Sequence, residues 1–211
     1  MIKDLKLIKY GYQFKLNAIC SFVFMLIGIL SVIYINIDEV PSISVLLYCS
    51  FLFFAQTAST LMYSNVIKSS PKYKEFCIMF QRIINILLFI FSFGVLFIIR
   101  LIQADSISQF SSEIGKEVAV AGIEYFIMVL YILFVYKFFI VSMIMFCTVT
   151  LFFNSIINYI PVPYNFTLLH GIGVAVLLFI ITMVLSEILI RAMYKIQPSR
   201  LAQSASLRGY I

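Results

Sequence analysis

Charge is what this 211-residue chain has least of. Only 11% of its residues are Asp, Glu, Lys or Arg, while 63% are hydrophobic. A soluble domain carries roughly 25% charged residues, because polar groups must cover most of its surface. So few charges cannot clothe a water-exposed globule, which excludes a cytosolic enzyme, a nucleic-acid reader and a disordered linker. Tryptophan is absent, and histidine occurs once, at His170. A single histidine cannot build a multi-histidine metal centre. The four cysteines, Cys20, Cys49, Cys77 and Cys147, have no CxxC spacing and read as free thiols serving as small apolar side chains. Glycine and proline are sparse within the apolar runs. No GxSxG, HExxH, GxGxxG or GxxxxGK[ST] pattern occurs, so the chain has no phosphate loop with which to hydrolyse ATP.

What is present is apolar sequence in long blocks, with a mean hydropathy of +1.09. A spanning helix needs ~20 predominantly apolar residues. Runs at about 18–37, 44–63, 83–102 and 168–190 meet that length. A further run from Val120 to about Ile160 is twice as long and is interrupted by Lys137. Read as one helix, it would bury that lysine in lipid, at about 2.5–3.5 kcal/mol on an insertion scale. Read as two, 120–136 and 138–160 with a turn at Lys137, it yields six spans.

The sorting of charge favours six. The cytoplasmic side then receives Lys3, Lys6, Lys9, Lys15, Lys68, Lys72, Lys74, Arg82, Lys137, Arg191, Lys195, Arg200 and Arg208. Only Arg100 and Lys116 fall outside, where Asp38, Glu39, Asp105, Glu113, Glu117 and Glu124 also collect. Excess Lys and Arg marks the inner side of a membrane protein, so the net charge of +6 reports orientation and not nucleic acid. The expected fold is therefore all-α and polytopic. It has six transmembrane helices over 18–195, both termini in the cytoplasm and a short tail, 196–211. Abundant Phe, Ile, Tyr, Lys and Asn match an AT-rich bacterial genome and a bacterial plasma membrane.

Two segments fall outside the spans and carry pattern. Residues 1–17 place Lys3, Lys6, Lys9 and Lys15 among Leu5, Ile8, Tyr12 and Leu16 at helical spacing, which predicts an amphipathic helix lying on the membrane surface. Residues 64–82 read SNVIKSSPKYKEFCIMFQR. Ser70 and Pro71 suit the N-cap and first position of a helix, and Tyr73, Phe76, Cys77 and Phe80 then share one stripe. Within the spans, Glu187 and Arg191 stand four apart, the spacing of a local ion pair. Glu124 is expected within about a turn of the outer surface, in reach of water. Asn85, Asn154 and Asn158 are polar but do not titrate.

In layout, and in the SSPKYKEF motif after the second span, the chain resembles the permease subunits of small ABC-2-type exporters, near in size to those exporting antimicrobial or amphipathic peptides such as phenol-soluble modulins. That resemblance implies a transport subunit, not an enzyme. It also implies a separate cytosolic ABC ATPase carrying ATP and Mg, and a second permease copy or a related one. Its coupling helix would be Ser70, Pro71, Lys72, Tyr73, Lys74, Glu75 and Phe76, with Tyr73 and Phe76 as buried anchors in the ATPase. Its interfacial helix would hold Lys3, Lys6, Lys9, Tyr12 and Lys15. The short external loops leave no room for an extracellular domain. Two other readings stay open: a membrane-embedded peptide-processing enzyme, and a non-catalytic accessory or immunity protein.

Overall fold

The computed structural model describes residues 14–34, 50, 53, 69, 71–103, 107–135, 137–138, 144, 167–193 and 195–196. Those residues form four long helices and no strand: α1, Phe14–Tyr34; α2, Tyr73–Gln103; α3, Ile107–Val135; and α4, Leu168–Met193. Three stretches are long and apolar enough to cross a membrane: Tyr73–Ile98, Ile114–Phe134 and Leu168–Met193. Lys3, Lys6, Lys9, Tyr12 and Ser70 lie outside the described residues, as do most of the expected second and fifth spans.

Helices α2, α3 and α4 make the core. Burial on α2 follows Cys77, Phe80, Ile84 and Leu88, and on α3 it follows Ile114, Val118, Ala121, Tyr125, Met128 and Ile132. Both series keep the three- and four-residue steps of one helical stripe. On α4 the pattern is inverted. Its buried positions are Gly171, Ala175, Thr182, Ser186 and Met193, while Leu169, Leu177, Ile180 and Val184 are exposed. Lipid is as apolar as leucine, so large side chains gain nothing by turning inward. Close packing of small ones is what holds helices together. α1 exposes Ile19, Phe22, Leu26 and Leu30 and touches α2.

Glycine sets the α3–α4 crossing. A Cβ on Gly115 would stand 2.6 Å from the carbonyl oxygen of Thr167, and one on Gly122 3.1 Å from the Cα of Ala175. A Cβ on Gly171 would collide with the carbonyl of Gly115, with its carbon at 2.8 Å. The pairing of 115 with 171 and of 122 with 175 makes α3 and α4 parallel. α2 is antiparallel to both, because Arg82 meets Glu187 while Phe89 meets Phe179.

Three boundaries differ from the sequence expectation. The segment read as a separate short helix before the third span is continuous with it. α2 runs 31 residues without a break, about 46 Å at ~1.5 Å per residue, against ~30 Å of hydrocarbon. An upright α2 is therefore longer than the apolar layer. Its first helical bond runs from the Phe76 N–H to the Lys72 carbonyl, at 3.0 Å, which puts the cap at Lys72, beyond Ser70–Pro71. α3 starts at Ile107, inside the stretch read as an outer loop, because Ile114, Val118 and Ala121 keep the helical stripe going between polar residues. α1 likewise begins at Phe14 and carries Lys15 in its first turn, so no break separates this end of the expected surface helix from the first span.

The helix that opens the long run stops just short of Lys137. α3 ends at Val135, and the Lys137 and Phe138 N–H groups both donate to the Phe134 carbonyl, at 3.0 and 2.8 Å.

Candidate functional site

Charged and polar side chains gather at the end of the bundle where α2 begins and α3 and α4 finish. Lys72, Lys74 and Glu75 are exposed on the first residues of α2, beside exposed Pro71. Tyr73 and Phe76 are only half-buried, and both pack against the chain's own core. Phe76 stacks on Phe80 with ring centroids 5.6 Å apart. These are the two rings expected to anchor a partner, and the part of each that the core does not cover stays exposed. Their helix is the foot of a spanning helix, so its apolar stripe continues the core stripe of Cys77 and Phe80. Pro71, Lys72, Lys74 and Glu75 are what this segment turns outward.

One turn further along, Glu187 on α4 stands between two arginines. Arg82 of α2 donates to its Oε2 through Nε at 3.0 Å and through Nη2. Arg191 donates to Oε1 through Nε at 3.1 Å and through Nη2. The i,i+4 pair expected from sequence is present, and Arg82 joins it from 105 residues away. At the same end the buried Lys137 ammonium donates to the Ile196 carbonyl just past α4.

Deeper in the bundle the three helices share a neutral polar cluster around Asn85, which is fully buried. Gln81 Nε2 donates to Asn85 Oδ1 at 2.9 Å, and Asn85 Nδ2 donates to Ser186 Oγ at 2.9 Å. Ser186 in turn donates to the Met183 carbonyl at 3.0 Å, and the Tyr125 hydroxyl reaches the Asn85 carbonyl at 3.4 Å. Above the cluster, Phe89, Tyr125 and Phe179 form an aromatic layer, with Phe89 4.5 Å from Phe179 and 5.5 Å from Tyr125. Only Asn85 stands out in the sequence. The signal that finds the rest is a pair of polar i,i+4 steps inside apolar helices, Gln81–Asn85 and Thr182–Ser186.

Glu124 departs from expectation. It lies near the middle of the apolar stretch Ile114–Phe134 and is 4% exposed. The earlier start of α3 is the reason: residues assigned to an outer loop become the first turns of the helix, and Glu124 moves inward. His170 has a local role. Thr167 precedes α4, and its N–H donates to His170 Nδ1 at 3.2 Å while its hydroxyl lies 2.8 Å from the same nitrogen. This is the back-reaching half of a capping box, with histidine where Glu or Gln is usual. Cys77 is a buried free thiol of the core and Cys20 a half-exposed one. Among the described residues no group of three or more His, Cys, Asp or Glu is placed to hold a metal ion.

No family model, curated protein or solved structure matches this chain.

Proposed function

We propose that the chain is the membrane-spanning permease subunit of an ATP-driven exporter of hydrophobic or amphipathic substrates, such as peptides. The observation that carries the reading is the foot of α2. Pro71, Lys72, Lys74 and Glu75 form an exposed, charged start to a spanning helix. It lies at the bundle end that also holds Arg82, Lys137, Arg191 and Lys195. In this reading that end is cytoplasmic, and a separate ATPase subunit, loaded with ATP and Mg, docks on the exposed face of residues 71–75. Because α2 is continuous from this foot into the core, a push on Lys72 or Lys74 tilts the whole helix against α3 and α4. A second permease copy completes the path.

Six spans with both termini inside also belong to this reading, and helix direction supports them. α3 and α4 are parallel, so the chain between Val135 and Leu168 has to return from one end of the bundle to the other. One further span over 138–160 does this. Single cysteines at 110 and 165 are expected to react with a membrane-impermeant maleimide from outside. Those at 138 and 205 should react only after the membrane is opened. External labelling at 205 would remove the six-span topology.

ATP chemistry separates a permease from an enzyme. The purified chain alone should hydrolyse no Mg-ATP, having no phosphate loop. Isolated from its own membrane with its ATPase, it should give vanadate-sensitive hydrolysis. Lys72→Glu with Lys74→Glu should then weaken that complex, more at low salt than at high, as expected for charges at a contact rim. Turnover by the lone chain, abolished by a point mutation within it, would overturn the proposal.

A further inference from the structure

The Arg82–Glu187–Arg191 cluster has more cation than its carboxylate neutralises. Glu187 occupies the Nε and Nη2 side of both guanidiniums, one on each oxygen. Two positive charges against one negative leave +1 at the cluster. Both arginine side chains stay half exposed, at 50% and 54%. Among the described residues neither Nη1 has a hydrogen-bond partner. The carboxylate thus holds two planar forks, each still half exposed. Guanidinium donors arranged this way suit the oxygens of a phosphate. Lys195, one turn beyond Arg191 and exposed, adds a further positive charge.

What lies directly above the cluster is apolar. On α2, Ile86 and Ile90 follow Arg82 at four-residue steps and are exposed. On α4, Val184 and Ile180 precede Glu187 at three and seven residues, on the same face, and are exposed too. α2 and α4 are antiparallel, so both columns run from the charged cluster toward the middle of the membrane. A ligand matching this surface has a phosphate at one end and hydrocarbon chains at the other.

We propose that Arg82 and Arg191, pre-arranged by Glu187, bind the phosphodiester of an anionic phospholipid whose acyl chains lie along Ile86 and Ile90 on α2 and Val184 and Ile180 on α4. A zwitterionic headgroup presents the same phosphate, but its own ammonium offsets the attraction of the +1 cluster and of Lys195. The site therefore selects phosphatidylglycerol over phosphatidylcholine. Basic pockets between spanning helices recognise anionic headgroups by this chemistry. The proposal needs only that the chain spans a membrane, and it stands apart from the transport reading.

The test is native mass spectrometry of the full chain in detergent, titrated with phosphatidylglycerol or phosphatidylcholine of matched acyl chains. Thermal stability is followed in parallel. Phosphatidylglycerol is expected to bind at least tenfold more tightly and to raise the midpoint. Arg82→Gln with Arg191→Gln should remove most of that preference. Should that double variant not fold, the single Arg82→Lys and Arg191→Lys variants, which keep charge but lose the fork, should each lower it severalfold. Glu187→Gln is decisive. It removes the carboxylate that arranges the forks but leaves both cations, so lipid preference should fall less than in the arginine double variant even if stability falls. Loss of preference in Glu187→Gln equal to that in the arginine double variant would overturn the proposal, reducing the cluster to a clamp between helices. Two other results would also overturn it: an unchanged preference without the arginines, or full protection by inorganic phosphate alone.

Discussion

Gly171→Leu is expected to leave no folded chain, and even Gly171→Ala should cost about 2 kcal/mol or more. A Cβ at Gly171 meets the carbonyl group of Gly115, with Cα of Gly115 at 3.0 Å. Those are backbone atoms of the partner helix, so no rotamer change relieves the clash. α3 and α4 would have to separate along their length. Overpacking a close-packed interface typically costs about 1–3 kcal/mol. Here separation also opens the contact at Gly122 and Ala175 further along the same seam. Close approach of small residues drives helix association in lipid, so nothing compensates for the loss. Gly173 supplies the control. It lies two residues away on the same helix, and a Cβ there meets nothing within 4 Å. Gly173→Ala should be neutral or stabilising by up to about 1 kcal/mol, from helix propensity alone. Reversible unfolding in mixed micelles with rising dodecyl sulfate, followed by circular dichroism, compares the variants. Superimposable curves for Gly171→Ala and Gly173→Ala would mean that this crossing is not set by glycine.

The second large effect is expected at Asn85. Its amide accepts from Gln81 and donates to Ser186, and its backbone carbonyl accepts from Tyr125. Asn85→Ala leaves Gln81 and Ser186 short of a partner and opens a small cavity, at about 2 kcal/mol. Asn85→Asp nearly keeps the shape but cannot donate to Ser186 when ionised, and it sets a carboxylate at depth between apolar helices. That change should cost about 3 kcal/mol on the insertion scale. Asn85→Asp should therefore be the worse of the two, although it is the smaller change in volume. A double-mutant cycle with Ser186→Ala isolates the hydrogen bond, for which about 0.6–1.7 kcal/mol of coupling is expected. The unfolding assay used for the glycines serves here. An Asp variant as stable as wild type, or zero coupling, would show that the cluster is packing without polar glue.

The apolar helices were legible in a chain with 63% hydrophobic and 11% charged residues, the apolar ones in runs of spanning length. That much is composition, since lipid satisfies no backbone group and each segment must satisfy its own. The end of α3 just short of Lys137 was legible for a local reason too, the cost of one cation at depth. The local pair of Glu187 and Arg191 was legible because i,i+4 contact is a property of a single helix.

Tertiary structure decided the rest. Hydropathy averages over a helix and discards its phase. The amphipathic start of α3 from Ile107 therefore looked like a polar loop, and Glu124 was expected near water when it is buried at mid-helix. The same averaging separated residues 73–80 from a span with which they are continuous. Arg82 reaches Glu187, and Asn85 reaches Ser186, across about a hundred residues of sequence, by way of one antiparallel pairing that no local pattern announces. Gly115, Gly122 and Gly171 carry no signal singly. They acquire meaning only where two backbones come together, because what fixes a glycine there is the atom on the other helix that leaves no room for a Cβ.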